Sequence, residues 1–278
     1  MQIGLLTAPL MDKSLEEVIA FAADAGIQAL EVVSTPGGGH FDPAGAAGAA
    51  GEKLQQLLAD SGVAISSFAC YGNVVDPNEA NREALLAHLR QLVLAAETLG
   101  VGIVCTLAGM PVPGKSKLQT IEQECPAVFA PLCEFAAEHG VKIALENWFA
   151  TNLQNVACFA RLFEVVPADN FGLNYDPSHL IWQGMDYLGA VEEFAPRIFH
   201  THAKDCEIRD DKLRRLGCLE GGWWRYVIPG FGRIDWGEYV GVLRSVKYDG
   251  VLSIEHEDGT LGAEEGFRKG AGYLAQFV

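Results

Sequence analysis

Positive charge is scarce in this chain of 278 residues: 20 lysines and arginines face 36 aspartates and glutamates, a formal net charge of −16. A surface field of that sign repels phosphate backbones and anionic headgroups, so neither nucleic acid nor a membrane is an expected partner. Paired cysteine motifs are missing too. The seven cysteines, at 70, 105, 125, 133, 158, 206 and 218, form no C-x-x-C, and several sit inside apolar runs. Neither a disulfide framework nor a structural zinc site is expected from them. No uninterrupted apolar run approaches the roughly 20 residues a membrane span needs. The opening "MQIGLLTAP" has no basic region ahead of a cleavable leader. The expectation is a soluble, cytoplasmic protein. No linker, low-complexity tract or charge run divides the chain. No glycine follows Gly4 in "LLTAPLMDKS", so the phosphate loop of a doubly wound dinucleotide fold is absent.

What the sequence has is rhythm. Apolar runs rich in β-branched residues recur as "IGLLTA" (3 to 8), "ALEVVS" (29 to 34), "AISSFAC" (64 to 70), "GIVCTLA" (102 to 108), "KIALEN" (142 to 147), "FGLNYD" (171 to 176), "IFHTHAK" (198 to 204) and "VLSIEHE" (251 to 257). Amphipathic segments separate them, clearest where Leu85, Leu89, Leu92, Val93, Ala96 and Leu99 follow spacings of three and four before Gly100. Strand and helix alternating eight times predict parallel strands joined by crossovers: a single (β/α)8 TIM barrel over residues 1 to 278.

Barrel chemistry gathers at the carboxyl ends of the strands. Alternation places Glu146 with Ala144 and Trp148 on one face of the fifth strand, and Asp176 with Gly172 and Asn174 on one face of the sixth. The seventh sets His200, His202 and Lys204 opposite Phe199 and Thr201, and the eighth sets Ser253, Glu255 and Glu257 opposite Leu252 and Ile254. Large apolar side chains mostly take one parity and small or polar ones the other, as barrel exterior and lumen require. Glu146, Asp176, His202 and Glu255 therefore aim at one volume. Three buried carboxylates and an imidazole repel protonless company, and a divalent cation resolves the conflict. Oxygen-rich ligation with one nitrogen suits Mn²⁺ first, with Mg²⁺, Co²⁺ or Zn²⁺ also compatible. Lys204, with His200, then stands beside the ion in a supporting or substrate role. Each residue alone has a plainer reading: Glu146 can pair with Lys142 or Lys204, and Asp176 can turn the chain before Pro177.

In this order and spacing, "ALEN", "NYDPSHL", "HTHAKD", "PGFGRIDW" and "LSIEHED" resemble the xylose isomerase-like TIM-barrel superfamily, in its sugar phosphate isomerase/epimerase branch. The resemblance spans the chain and is strongest from Lys142 onward; earlier it rests on strand-helix rhythm and "GGGHFDP". It implies that Glu146, Asp176, His202 and Glu255 bind one divalent metal and that His179 touches substrate or a second metal. It also implies a reaction. Coordination of a carbonyl and its neighbouring hydroxyl acidifies the C–H between them and stabilises an enediolate, with Glu146 and Glu255 as base and acid. Reprotonation from the opposite face is epimerisation, and reprotonation at the neighbouring carbon is isomerisation. Loss of a β-hydroxyl makes a keto-polyol dehydratase of the inosose type. Cleavage of a 3-keto-glycoside is a further variant.

A long excursion after the seventh strand, "GGWWRYVIPGFGRIDW", offers indoles to a sugar face and Arg225 to a polar or anionic group. Trp148 at the fifth strand and His40 in the loop after the second are further substrate-contact candidates. Some of the five tryptophans instead pack beneath the loop or form a contact in a homo-oligomer. Two rival functions are weighed. A nuclease resembling endonuclease IV needs extra zinc-binding histidines after the third and fourth strands, where this chain has "ACYGN" and "TLAGM", and a D-x-H element where it has "YVIPGFG". A non-catalytic sugar-binding role leaves the complete ligand set unexplained. The expected substrate is a small sugar or sugar derivative, and no cluster of cations marks it as phosphorylated.

Overall fold

The computed structural model describes residues 1–278. Eight parallel strands form its centre: β1 (Gln2–Leu6), β2 (Ala29–Thr35), β3 (Ala64–Ala69), β4 (Ile103–Leu107), β5 (Lys142–Glu146), β6 (Phe171–Tyr175), β7 (Ile198–Ala203) and β8 (Val251–Ile254). Each pairs with its neighbour in chain order, and β1 pairs with both β2 and β8, which closes the sheet into a barrel. The two-residue strand Gly38–Gly39 folds back antiparallel on β2. No helix is long and apolar enough to cross a membrane.

Local sequence explains the crossovers. Ser14 and Glu17 form a reciprocal capping box that starts the helix Leu15–Asp24. Asn78 caps the helix Glu79–Leu99, which stops where Gly100 turns left-handed at φ 72°. Short helices at Ser178–Ile181 and Tyr187–Phe194, and one at Asp210–Leu216, lie where the apolar periodicity is too brief to read.

Burial separates two apolar regions. A cluster of 61 buried residues fills the space between barrel and helices, with Leu30, Val32, Phe68, Ile143, Leu173 and Ile254 facing out. Inside the barrel only Leu6, Ala69, Cys105 and Ala144 form a second cluster, with Phe199 and Tyr71 packed against it. Phe199 thus corrects the expected parity. Register jumps from Leu173–Ile198 to Asn174–His200, leaving Phe199 as the extra residue of a bulge, so Phe199 and His200 both enter the lumen. Gly172 makes the room, because a Cβ there would stand 2.6 Å from the Phe199 ring.

After β7 the chain makes an antiparallel hairpin, Asp205–Ile208 with Trp224–Val227. Asp205 anchors it by accepting bonds from Trp236 Nε1 and the amides of Cys206, Gly230 and Ile234.

Candidate metal centre

Asp176 shows how a turn residue becomes a ligand. Its Oδ1 accepts the Ser178 amide at 2.7 Å, the turn expected of Asp before Pro177. Asn147 stitches the ends of β5 and β6 together, donating to the Asp176 carbonyl and accepting its amide, both at 2.8 Å. That fixes the carboxylate so that Oδ2 faces inward, buried and without a hydrogen-bond partner.

Around that oxygen the ends of β5 to β8 converge. One donor atom each from Glu146, Asp176, His202 and Glu255 lie within 4.8 Å of one another. His202 Nδ1 stands 3.0 Å from Glu255 Oε2, 3.5 Å from Glu146 Oε1 and 3.8 Å from Asp176 Oδ2. It too is a buried polar atom without a hydrogen-bond partner. Two inward atoms that meet only charged neighbours and make no well-aligned hydrogen bond, in a set of three carboxylates and one imidazole, fit an oxygen-rich divalent site.

Lys204 is 1% exposed and stands against the same group, 2.6 Å from Glu255, 3.1 Å from Asp176 and 3.9 Å from Glu146. The electrostatics follow from this crowding. Burial, then the Glu255 charge, pushes Glu146 up to about 7. Burial opposes ionisation of Glu255 as well, but Lys204 and His202 outweigh it and hold that carboxyl well below the usual range. For His202, burial is outweighed by the Glu31 and Glu255 charges, which raise it well above an ordinary imidazole. His179 goes the other way, lowered by burial and then by Lys204.

His179 Nε2 lies 3.4 Å from Glu146, 3.5 Å from Asp176 and 3.1 Å from Lys204. Its Nδ1 bonds the Tyr226 hydroxyl, which also accepts from Trp182 Nε1, so the hairpin reaches into the centre through Tyr226. Trp182 stacks on Trp224 with ring centroids 4.2 Å apart, and Phe149 stands edge-on to both. Trp148 is half-buried beside Phe149. Trp223 and Trp236 are buried and form packing, not surface.

Two candidates lie elsewhere. Arg225 bonds Glu207 within the hairpin and Asp258, at 2.7 Å, after β8, and ties these segments together. His40 donates or accepts through Nε2 at the Leu10 carbonyl, 3.0 Å away, and lines a separate cavity of about 800 Å³ with Thr35, Asp42, His88 and Gln91.

Glu31, Tyr71 and Tyr226 were not among the expected residues. Glu31 on β2 is fully buried. Burial would raise its carboxyl, yet the His202 and His200 imidazoles beside it bring it down to about 2. Its signal was a single carboxylate inside the apolar run "ALEVV". Nothing in "WWRYVIP" distinguishes Tyr226 from its aromatic neighbours.

The family model for the xylose isomerase-like TIM barrel matches residues 19–277. The uncharacterised Bacillus subtilis protein YfiH is 29% identical, over 100% of this chain and 99% of its own. An inosose dehydratase of Geobacillus thermodenitrificans is 30% identical over 132 residues, 45% of this chain and 44% of that enzyme, so that match spans under half of either. Among solved structures, IolI with a bound zinc atom superposes with a TM-score of 0.78 at 19% identity, covering 100% of this chain and 99% of that one. The probable 3-DHS dehydratase AsbF of Bacillus anthracis gives 0.77 at 20%, covering 99% of each. An L-ribulose 3-epimerase gives 0.73 at 20%, covering 99% of this chain and 92% of that one. At these identities the superpositions establish the fold.

Proposed function

The chain belongs to the xylose isomerase-like TIM-barrel family, and on that premise we propose that it is a divalent-cation-dependent isomerase or epimerase of a carbonyl sugar or sugar derivative. The observation that carries this reading is the pair of unsatisfied inward atoms, His202 Nδ1 and Asp176 Oδ2, closing a cage with Glu146 and Glu255. A divalent ion held there, Mn²⁺ before Zn²⁺ on this donor set, supplies Lewis acidity to a carbonyl and its neighbouring hydroxyl, acidifying the C–H between them.

The chain's own groups do the rest. Glu146, whose carboxyl burial raises in the metal-free fold and a bound cation would hold ionised, exchanges a proton with the substrate carbon. Glu255, on the other side of the centre, serves the opposite face. Lys204 and His179 hydrogen-bond substrate oxygens, and Phe149, Trp182, Trp224 and Tyr226 offer an apolar wall to a sugar ring and keep water from that side. All seven cysteines are unpaired and six are buried, which supports a reducing, cytoplasmic setting.

A second reading, dehydration of a keto-polyol, draws on the match to inosose dehydratases and on the Lys204 ammonium, linked through neutral His179 to Tyr226 and available to protonate a departing hydroxyl. One experiment tests both. The protein is incubated in D₂O with ketoses, aldoses and inososes, with Mn²⁺ or with chelator, and products are read by NMR and mass spectrometry. Deuterium entering at a carbon beside the carbonyl, only with the cation, is the expected result. Exchange accompanied by loss of water selects the dehydratase. No exchange with any carbonyl sugar overturns the proposal.

A further inference from the structure

Beneath the four converging donors lies a second polar cluster. Glu31, Cys105 and His200 also bring a carboxylate, a thiol and an imidazole within 4.8 Å of one another, all buried. Its hydrogen bonding differs from that of the upper group. Glu31 Oε1 accepts from the Tyr71 hydroxyl and from Asn174 Nδ2 at 3.2 Å. Its Oε2 accepts from His202 Nε2 at 3.1 Å and from the Ser253 hydroxyl at 2.8 Å. A carboxylate has about four acceptor positions, and four donors occupy them, Tyr71 just after β3 and Asn174, His202 and Ser253 on β6, β7 and β8. His200 is equally engaged, with Nδ1 at Asn174 Oδ1 and Nε2 at Ser66 Oγ, both 3.0 Å. None of these carboxylate or imidazole atoms is left without a partner.

A saturated carboxylate has no lone pair to offer an ion, but it dictates the tautomer of the imidazole it grips. His202 Nε2 stands 3.1 Å from Glu31 Oε2, with Asn174 Nδ2 at 3.0 Å on its other side. When a cation replaces the proton on Nδ1, Glu31 is the acceptor for the Nε2–H that remains, which leaves the Nδ1 lone pair facing Glu146, Asp176 and Glu255. We propose that Glu31 is a positioning residue that orients His202 with Nδ1 as the ligating atom, and that the lower cluster is this anchor and not a second metal site. The inference rests on the metal-cage reading of the upper cluster.

The test is Co²⁺ binding to the full chain, with affinity measured by competition against a chromophoric chelator and geometry by visible absorption. Glu31→Gln keeps the shape and removes the charge. The expected result is one ion per wild-type chain, binding about 10- to 100-fold weaker in Glu31→Gln with an altered absorption band, and unchanged binding in Cys105→Ser. Ser253→Ala removes one of the four donors with little change in volume, and a smaller loss in the same direction is expected. It serves if Glu31→Gln does not fold. Wild-type affinity in Glu31→Gln, or in Ser253→Ala where that variant stands alone, overturns the positioning role. Two ions per wild-type chain, one of them lost in Cys105→Ser, overturns the assignment of the lower cluster. A wild-type chain that binds no cation overturns the cage reading and this inference together.

Discussion

Strands β5 to β8 each send a carboxylate or an imidazole to one point in the lumen, whereas β1 to β4 supply small apolar groups there, with Glu31 as their one carboxylate. Both halves bury polar atoms, and both sit in the same closed sheet. They differ in what those atoms touch. In the late half, Asp176 Oδ2 and His202 Nδ1 are held inward beside charged neighbours, Lys204 at 3.1 Å and Glu255 at 3.0 Å, without a well-aligned hydrogen bond, while in the early half Glu31 has every acceptor position filled. Burial of polar side chains is thus common to a scaffold and a centre, and unsatisfied, converging donors distinguish the centre.

The division between halves is broken most directly at Glu146. Glu146→Gln should lower turnover about 10²- to 10⁴-fold in steady-state assays on whichever sugar shows exchange. A loss no greater than that of an early-half variant would remove the distinction. Lys204→Met comes next. Removing the ammonium that faces Asp176 and Glu255 leaves uncompensated buried charge, which costs about 3–5 kcal/mol. Metal-free Lys204→Met should therefore unfold earlier in denaturant than the wild type, and added Mn²⁺ should restore more stability to it than to the wild type. An unchanged midpoint would show that Lys204 does not balance the carboxylates.

Proton release sharpens the same contrast. In the metal-free fold Glu146 is raised to about 7 from an ordinary 4.5. That raised carboxyl contributes stability below about pH 4.5, and the contribution fades as pH rises through about 7. An ion must displace the proton within this window and the one on His202 over a wider range. Calorimetry in buffers of different ionisation enthalpy should find more protons released by Mn²⁺ at pH 6 than at pH 8. Equal release at both would take Glu146 out of the cage. The smallest effect is expected in the early half, at His40. His40→Ala, in a separate cavity, should leave Mn²⁺ affinity unchanged and shift stability by about 0.5 kcal/mol or less. A large fall in metal affinity would place that loop in the centre.

Legibility follows chemistry of two kinds. Period-two alternation in "ALENW" and "GLNYD" was enough to place Glu146 and Asp176 in the lumen, because a strand fixes side-chain direction locally. Alternation failed at Phe199, where a bulge opposite Leu173 and Asn174 inserts a residue, and a bulge has no local mark in "IFHTH". Arg225 read as a substrate contact because its partners, Glu207 and Asp258, are brought to it only by the hairpin and the loop after β8. Glu31 was visible as a charge in an apolar run, yet its partners Tyr71, Asn174, His202 and Ser253 lie from 40 to 222 positions away in the chain.

The sequence by itself determined the alternation of strands and helices, the closed parallel barrel and the inward parity of Glu146, Asp176, His202 and Glu255, since these depend on periodicity and on turn and cap residues close in the chain. Only the tertiary structure decided which atoms remain unsatisfied and which are saturated. Hydrogen-bond partners such as Glu31 and Ser253 are distant in sequence, and meet because the sheet closes between β1 and β8.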